Sequence, residues 1–210
     1  MNLKRPFRVL TPTLDGDVLA VLARANAVFS GREVGRRVGD ASHRGVQVAL
    51  KRLVTQGIVS VERAGNANLY RLNRHHLAAP LVEALANLRL QLIQRMRETI
   101  ESWEVRPVVA ALFGSAARGE ADEESDLDIF LIRPAGTAED DSVWREQVAA
   151  LEESASLWTG NDARTLEYDE AELPRLRQHE PVIEDVIEEG VVLVGSLPAL
   201  REQRPMRKRR

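Results

Sequence analysis

Apolar residues Leu14, Val18, Leu19, Val21 and Leu22 recur at helical spacing and predict a first helix ending near Asn26. Ser30, with Glu33 three residues later, forms a capping-box pattern ahead of Val34 and Val38, so a short second helix should run to Gly39. After an Asp40-Ala41 turn, Ser42 caps a third helix that places Val46, Leu50, Leu53 and Val54 inward and stops at Gly57. Two alternating segments, 58–63 and 68–72, flank Ala64-Gly65-Asn66-Ala67 and predict a hairpin, because Gly and Asn tolerate positive φ. Pro80 then opens a stretch in which Leu81, Leu85, Leu88, Leu92, Met96, Ile100 and Trp103 recur every three or four residues. This reads as one connecting helix of about six turns, closed by Pro107. Its apolar stripe suits either a homodimer through residues 80–103 or packing within one chain.

The second half has a different rhythm. Val108 to Phe113 is a near-continuous apolar run that turns at Gly114-Ser115 into a helix opened by Ala116-Ala117-Arg118. Ser125-Asp126-Leu127-Asp128 leads into a second apolar strand, Ile129 to Ile132. Val143 to Leu157 is an amphipathic helix, Arg164 to Tyr168 a strand, 172–189 a further helix, and Val191 to Val194 a last short strand.

Charge divides the chain in the same way. Residues 1–78 carry 13 Lys+Arg against 5 Asp+Glu, a net +8, whereas residues 104–199 carry 7 against 23, a net −16. Such asymmetry points to a nucleic-acid-facing half and a half with another task. The absence of cysteine excludes disulfides and thiolate zinc sites and makes a reducing cytoplasm the simplest location. The N-terminus lacks the apolar core of a signal peptide, and no run approaches the ~20 apolar residues of a membrane span, so no membrane partner is expected.

In the basic half, the third helix presents Ser42, His43, Arg44 and Gln47 at or near its start, where they can reach base edges of double-stranded DNA in the major groove. Lys51, Arg52, Arg63, Asn66 and Asn68 are placed to meet the phosphate backbone or, from the hairpin, a minor groove. In the acidic half, Asp126 and Asp128 project from one face of a strand, where their mutual repulsion calls for a cation between them. Hard Mg²⁺ fits such oxygens, and the Gly114-Ser115 turn, with its backbone N–H groups and hydroxyl, suits a triphosphate.

These motifs carry two resemblances. Residues 12–77 resemble the winged helix-turn-helix domains of bacterial transcription regulators. Residues 104–196, with strand, Gly-Ser, spacer and Asp-x-Asp, resemble the minimal, MNT-type nucleotidyltransferases of the DNA polymerase β-like superfamily. The second resemblance implies that Gly114, Ser115, Arg118 and Ser125 serve the nucleotide, and that Asp126 and Asp128 bind catalytic metals, two Mg²⁺ ions per site with Mn²⁺ as an alternative. It also requires a third acid on a neighbouring strand; Glu167, between two apolar residues, is the choice, with Asp169 or Asp162 as alternatives if the register differs.

The resulting expectation is an α+β chain. A winged helix-turn-helix domain spans 10–77, a connecting helix 78–103, a nucleotidyltransferase domain with a mixed sheet and flanking helices 104–198, and a basic tail 199–210. The expected activity is transfer of a nucleoside monophosphate from a nucleoside triphosphate, ATP first among them, to an acceptor hydroxyl. The acceptor is expected on a macromolecular partner, because no second helical domain follows Gly195 to wall a small-molecule pocket; partner-protein modification in toxin–antitoxin pairs is the analogy. The competing expectation is a transcription regulator whose inactive transferase domain senses a nucleotide.

Overall fold

The computed structural model describes residues 1–39, 41–173 and 180–196, and the chain divides into two compact units, Met1–Leu88 and Arg89–Arg210. Asp40 of the expected turn, part of the expected 172–189 helix and the basic tail fall outside the described residues.

The first unit contains the three expected helices, α1 (Leu14–Ala23), α2 (Gly31–Val38) and α3 (His43–Thr55). The capping box at α2 is complete: Glu33 N–H donates to Ser30 Oγ at 3.3 Å, and Ser30 N–H donates to the Glu33 carboxylate at 2.7 Å. Both bonds satisfy helix-start donors, and the second, with the Ser30 hydroxyl donating to the same carboxylate at 2.8 Å, holds the Glu33 carboxyl below its ordinary value. Ser42 Oγ caps α3 by accepting from Gly45 N–H at 3.1 Å. The hairpin pairs β2 (Val59–Ala64) with β3 (Ala67–Leu72) around a two-residue turn, tighter than the four residues expected, with Gly65 at φ 59°. A strand the pattern did not show, β1 (Phe29–Ser30), adds to β3 and gives an antiparallel sheet of order β1-β3-β2. Val18, Leu22, Val34, Val46 and Leu50 are fully enclosed, with Tyr70 and Leu72 of β3 beside them. Each such aliphatic burial contributes roughly 1.5–3 kcal/mol.

The expected connecting helix is two helices. α4 (Ala79–Ala86) ends at Asn87, whose φ −107° and ψ 18° leave the helical range, and α5 (Leu88–Glu101) begins immediately after. The expected stripe holds only in its second part: Leu81 is 68% exposed and Ala79, Val82 and Ala86 enter the core of the first unit instead, with Leu85 packed against it, while Leu92, Ile93, Met96 and Ile100 are buried in the second.

In the second unit a mixed sheet of order β6-β5-β4-β7 comprises β4 (Val109–Phe113), β5 (Leu127–Arg133), β6 (Ala163–Asp169) and β7 (Val191–Val194). β4 runs antiparallel to β5 and β7, and β5 parallel to β6. The parallel pair is joined by the crossover helix α7 (Ser142–Thr159), as parallel neighbours require. A second helix, α8 (Pro181–Glu189), packs with Phe130, Ile132 and Val109 through Ile183 and Val186. Trp103 meets Trp144 of α7 edge to face, with centroids 5.6 Å apart. The fold class is the expected α+β one. No helix among the described residues is long and apolar enough to cross a membrane.

Candidate functional site

Antiparallel pairing of β4 and β5 brings the end of one strand to the start of the other, so Phe113 stands opposite Asp128. The chain leaves β4 through Gly114, at φ 66°, into the five-residue helix α6 (Gly114–Arg118). Gly114 is required twice over. An L side chain is strained at that φ, and a Cβ there would lie 2.6 Å from Asp128 Oδ2. The Asp128 carboxylate therefore rests against the backbone of the Gly-Ser turn. Ser115, partly buried on that turn, accepts Glu120 and Ala121 N–H at its carbonyl.

Asp126 lies one residue before β5, on the loop that precedes it. That loop is fixed by Asn161, a buried residue the sequence reading passed over, whose Nδ2 donates to the carbonyls of Asp122 and Ser125, each at 2.7 Å. Ser125 Oγ donates to Asp122 Oδ1 at 2.8 Å, so Ser125 shapes the loop. The Asp128 carboxyl is raised above its ordinary range, first by burial and then by the negative charge of Asp126; Arg164 opposes both.

Arg164 is the second residue that the sequence did not single out. It lies in register with Asp128 on the parallel neighbour β6, its guanidinium 3.0 Å from Asp126 Oδ2 and 2.9 Å from Asp162 Oδ2.

Glu167 does not join this group, which corrects the third-acid assignment. It pairs with Leu131, an odd number of residues from Asp128, and its side chain is on the α7 side of the sheet. There it accepts from Trp144 Nε1 at 2.5 Å and Arg145 at 2.6 Å. Asp169 instead caps the turn Glu170–Glu172. Asp162 reaches the cluster only through Arg164. Among the described residues no three acids or histidines converge as a metal cluster would need. Asp126 and Asp128 supply hard oxygens for one divalent cation; the oxygens for a second, as expected from Glu167, are on the other face. Arg118 is engaged with Glu120 at 2.9 Å and Glu189 at 2.6 Å.

In the first unit, α3 and the hairpin border two grooves. One, of about 430 Å³, is lined by Arg44, Gln47, Val48, Lys51, Val61 and Asn68. The other, of about 560 Å³, includes His43, Gln47, Asn66 and Asn68. Most of the expected nucleic-acid residues thus line one continuous face through Gln47 and Asn68. Three are otherwise occupied: Ser42 caps α3, Arg52 is bound through both Nε and Nη2 to Asp15 of α1, and Arg63 Nε donates to the Gly65 carbonyl at 3.3 Å.

Among solved structures, the chain is similar to a toxin–antitoxin complex with AMP-PNP, at 18% identity and a TM-score of 0.37 over 52% of this chain and 77% of that one. A MntA–HpeT toxin–antitoxin mutant gives 16% and 0.37 over the same shares. TrmBL2, an archaeal chromatin protein described with a novel mode of DNA binding, gives 16% and 0.27 over 84% of this chain and 72% of that one. No curated protein sequence matches the chain. The family model for the nucleotidyltransferase domain matches residues 93–194, taking in most of α5, the four-stranded sheet, the Gly-Ser turn and both aspartates.

Proposed function

We propose that the second unit transfers a nucleoside monophosphate from a nucleoside triphosphate to a hydroxyl of a macromolecular acceptor, and that the first unit binds double-stranded DNA. The observation that carries the transferase reading is the Asp128 carboxylate seated against the Gly114-Ser115 turn, with Asp126 close enough to raise its pKa, inside the residues that the nucleotidyltransferase family model matches. An acceptor oxygen attacks the α-phosphorus, the new O–P bond forms, and pyrophosphate leaves with the electrons of the bond that breaks. The acceptor's proton passes to water at this open face. Mg²⁺ held by Asp126 and Asp128 would neutralise phosphate charge as it builds on the leaving group. Ser115 and the turn's N–H groups orient the phosphates, and Gly114 lets them approach the backbone. The acceptor is taken as macromolecular because the site is open: the Asp126 side chain is 39% exposed and that of Arg164 65%.

For DNA, the support is the +8 charge of residues 1–78 together with the continuous face of Arg44, Gln47, Lys51, Asn66 and Asn68. A homodimer through residues 80–103 remains a proposal about assembly, tested by the concentration dependence of the solution mass.

A second reading, a nucleotide sensor without turnover, is favoured by Arg164 already holding Asp126 and by Glu167 facing the other way. The full chain, Mg²⁺, α-labelled nucleoside triphosphates and either bulk RNA or bulk cell protein separate the two. Label transferred to macromolecule, falling at least about 10³-fold in Asp126→Asn/Asp128→Asn, supports transfer. Saturable nucleotide binding without transfer supports the sensor. Transfer unchanged in the double variant overturns the site.

A further inference from the structure

Arg164 occupies a position that packing does not explain. Its side chain is 65% exposed, and ion pairs so open to water contribute little to folding. Yet it sits in register with Asp128, and its one guanidinium serves two carboxylates directly, Asp126 through Nη1 and Asp162 through Nε and Nη2. Its charge also acts on Asp128, lowering that carboxyl against burial and Asp126. The acid that would complete a second metal site lies on the α7 side, bound to Trp144 and Arg145. On the working face the group that meets these carboxylates is the Arg164 guanidinium.

Resting on the transferase reading above, we infer that Arg164 is the site's built-in second cation: it neutralises Asp126 before nucleotide arrives and passes to the triphosphate when a divalent ion takes Asp126 and Asp128. Asp162 is the anchor for that exchange. It holds Nε and Nη2 at 2.9 Å, and leaves Nη1 as the end that changes partner from Asp126 to a phosphate oxygen. A planar guanidinium can keep one carboxylate while offering its remaining donors to a phosphate, which a lysine ammonium does less well. The site then operates with one divalent ion and one guanidinium, and Arg164 is a positioning residue for metal and a binding residue for nucleotide.

The two roles pull metal and nucleotide affinity in opposite directions, and that separates them from a structural role. Titration of the full chain with Mn²⁺ alone should show one ion per chain, bound about threefold to tenfold more tightly by Arg164→Ala, because a competing cation has left Asp126. Binding of α,β-methylene ATP with Mg²⁺ should weaken about tenfold in the same variant, through loss of a charge-assisted contact. Arg164→Lys should keep the Mn²⁺ affinity of the unaltered chain and recover part of the nucleotide affinity. If Arg164 only pins the Asp126 loop, Arg164→Ala binds Mn²⁺ more weakly, and the inference is overturned; two Mn²⁺ per chain overturns it as well. Asp126→Asn/Asp128→Asn is the control for the underlying reading. Should that variant still bind Mn²⁺ as before, the metal site itself is misassigned, whereas loss of binding there with no change in Arg164→Ala defeats only the role of Arg164.

Discussion

The two units handle charge in opposite ways. In the first, the positive groups of α3 stand apart along a helix face, and most keep their ends in solvent; where one is tied down, as Arg52 is to Asp15, it is tied to its own fold. In the second, like charges are pressed together: Asp128 is half-buried against the Gly114 backbone, with Asp126 near enough to raise its pKa and Arg164 between Asp126 and Asp162. Dispersed charge acts over a Debye length and adds up contact by contact, whereas convergent charge is costly until a ligand neutralises it. The first arrangement suits a long polyanion, and the second a metal and a triphosphate.

The sharpest break in this comparison is Gly114→Ala. The added methyl meets both a positive φ and the Asp128 carboxylate. Unfolding free energy should fall by about 1–3 kcal/mol and nucleotidyl transfer by about 10²-fold, read by chemical denaturation and by label transfer. An alanine variant with unaltered transfer would mean that Asp128 need not sit where it does.

Replacing one dispersed charge should do less. Arg44→Ala should weaken binding to a selected DNA sequence about tenfold and relax its preference, while Lys51→Ala should weaken all sequences alike and reduce the salt slope by about 1. Fluorescence anisotropy across a salt series reads both. A salt-independent affinity would remove the electrostatic reading of α3.

Smaller still is Glu167→Gln, which keeps an acceptor for Trp144 but loses the charge facing Arg145. Stability should drop by about 1 kcal/mol, with transfer within about twofold of the unaltered chain. A large loss of transfer at full stability would return Glu167 to the site.

The smallest effect is thermal. Asp128 has a raised pKa, so the folded state disfavours its anion and loses stability as pH climbs through that raised value; below the ordinary carboxylate range nothing is lost. In metal-free buffer Asp128→Asn should therefore raise the Tm at neutral pH and bring no gain near about pH 3. A gain of equal size at both pH values would show that repulsion and burial of the anion are not its cause.

Local signals carried the elements well. Ser30 with Glu33, Ser42, and the glycines after α2 and α3 act within one turn, so their meaning survives without tertiary knowledge. Gly114, Asp126 and Asp128 were legible because the turn and strand that join them are contiguous. Glu167 was not, since β6 is reached through α7 and a one-residue change of register reverses which face each side chain takes. Apolar residues on both sides of Glu167 gave no clue, because the sheet is covered on both faces. Arg164 escaped notice for the same reason, and β1 because two residues are too few to show alternation. The break at Asn87 was hidden by a stripe that never loses its period.

Asn161 also ties the candidate site to a distant part of the chain. Its two bonds reach back 39 and 36 residues, to carbonyls on the loop that aims Asp126. Those bonds require the segment after α7 to lie back beside β5, where β6 begins. Closure over so long a span is slow compared with forming a helix or a hairpin. Asp126 and Asp128 are neighbours along the chain from the outset, but the loop that aims Asp126 is thus held by a contact of high sequence separation, and Asn161→Ala should loosen that aim first.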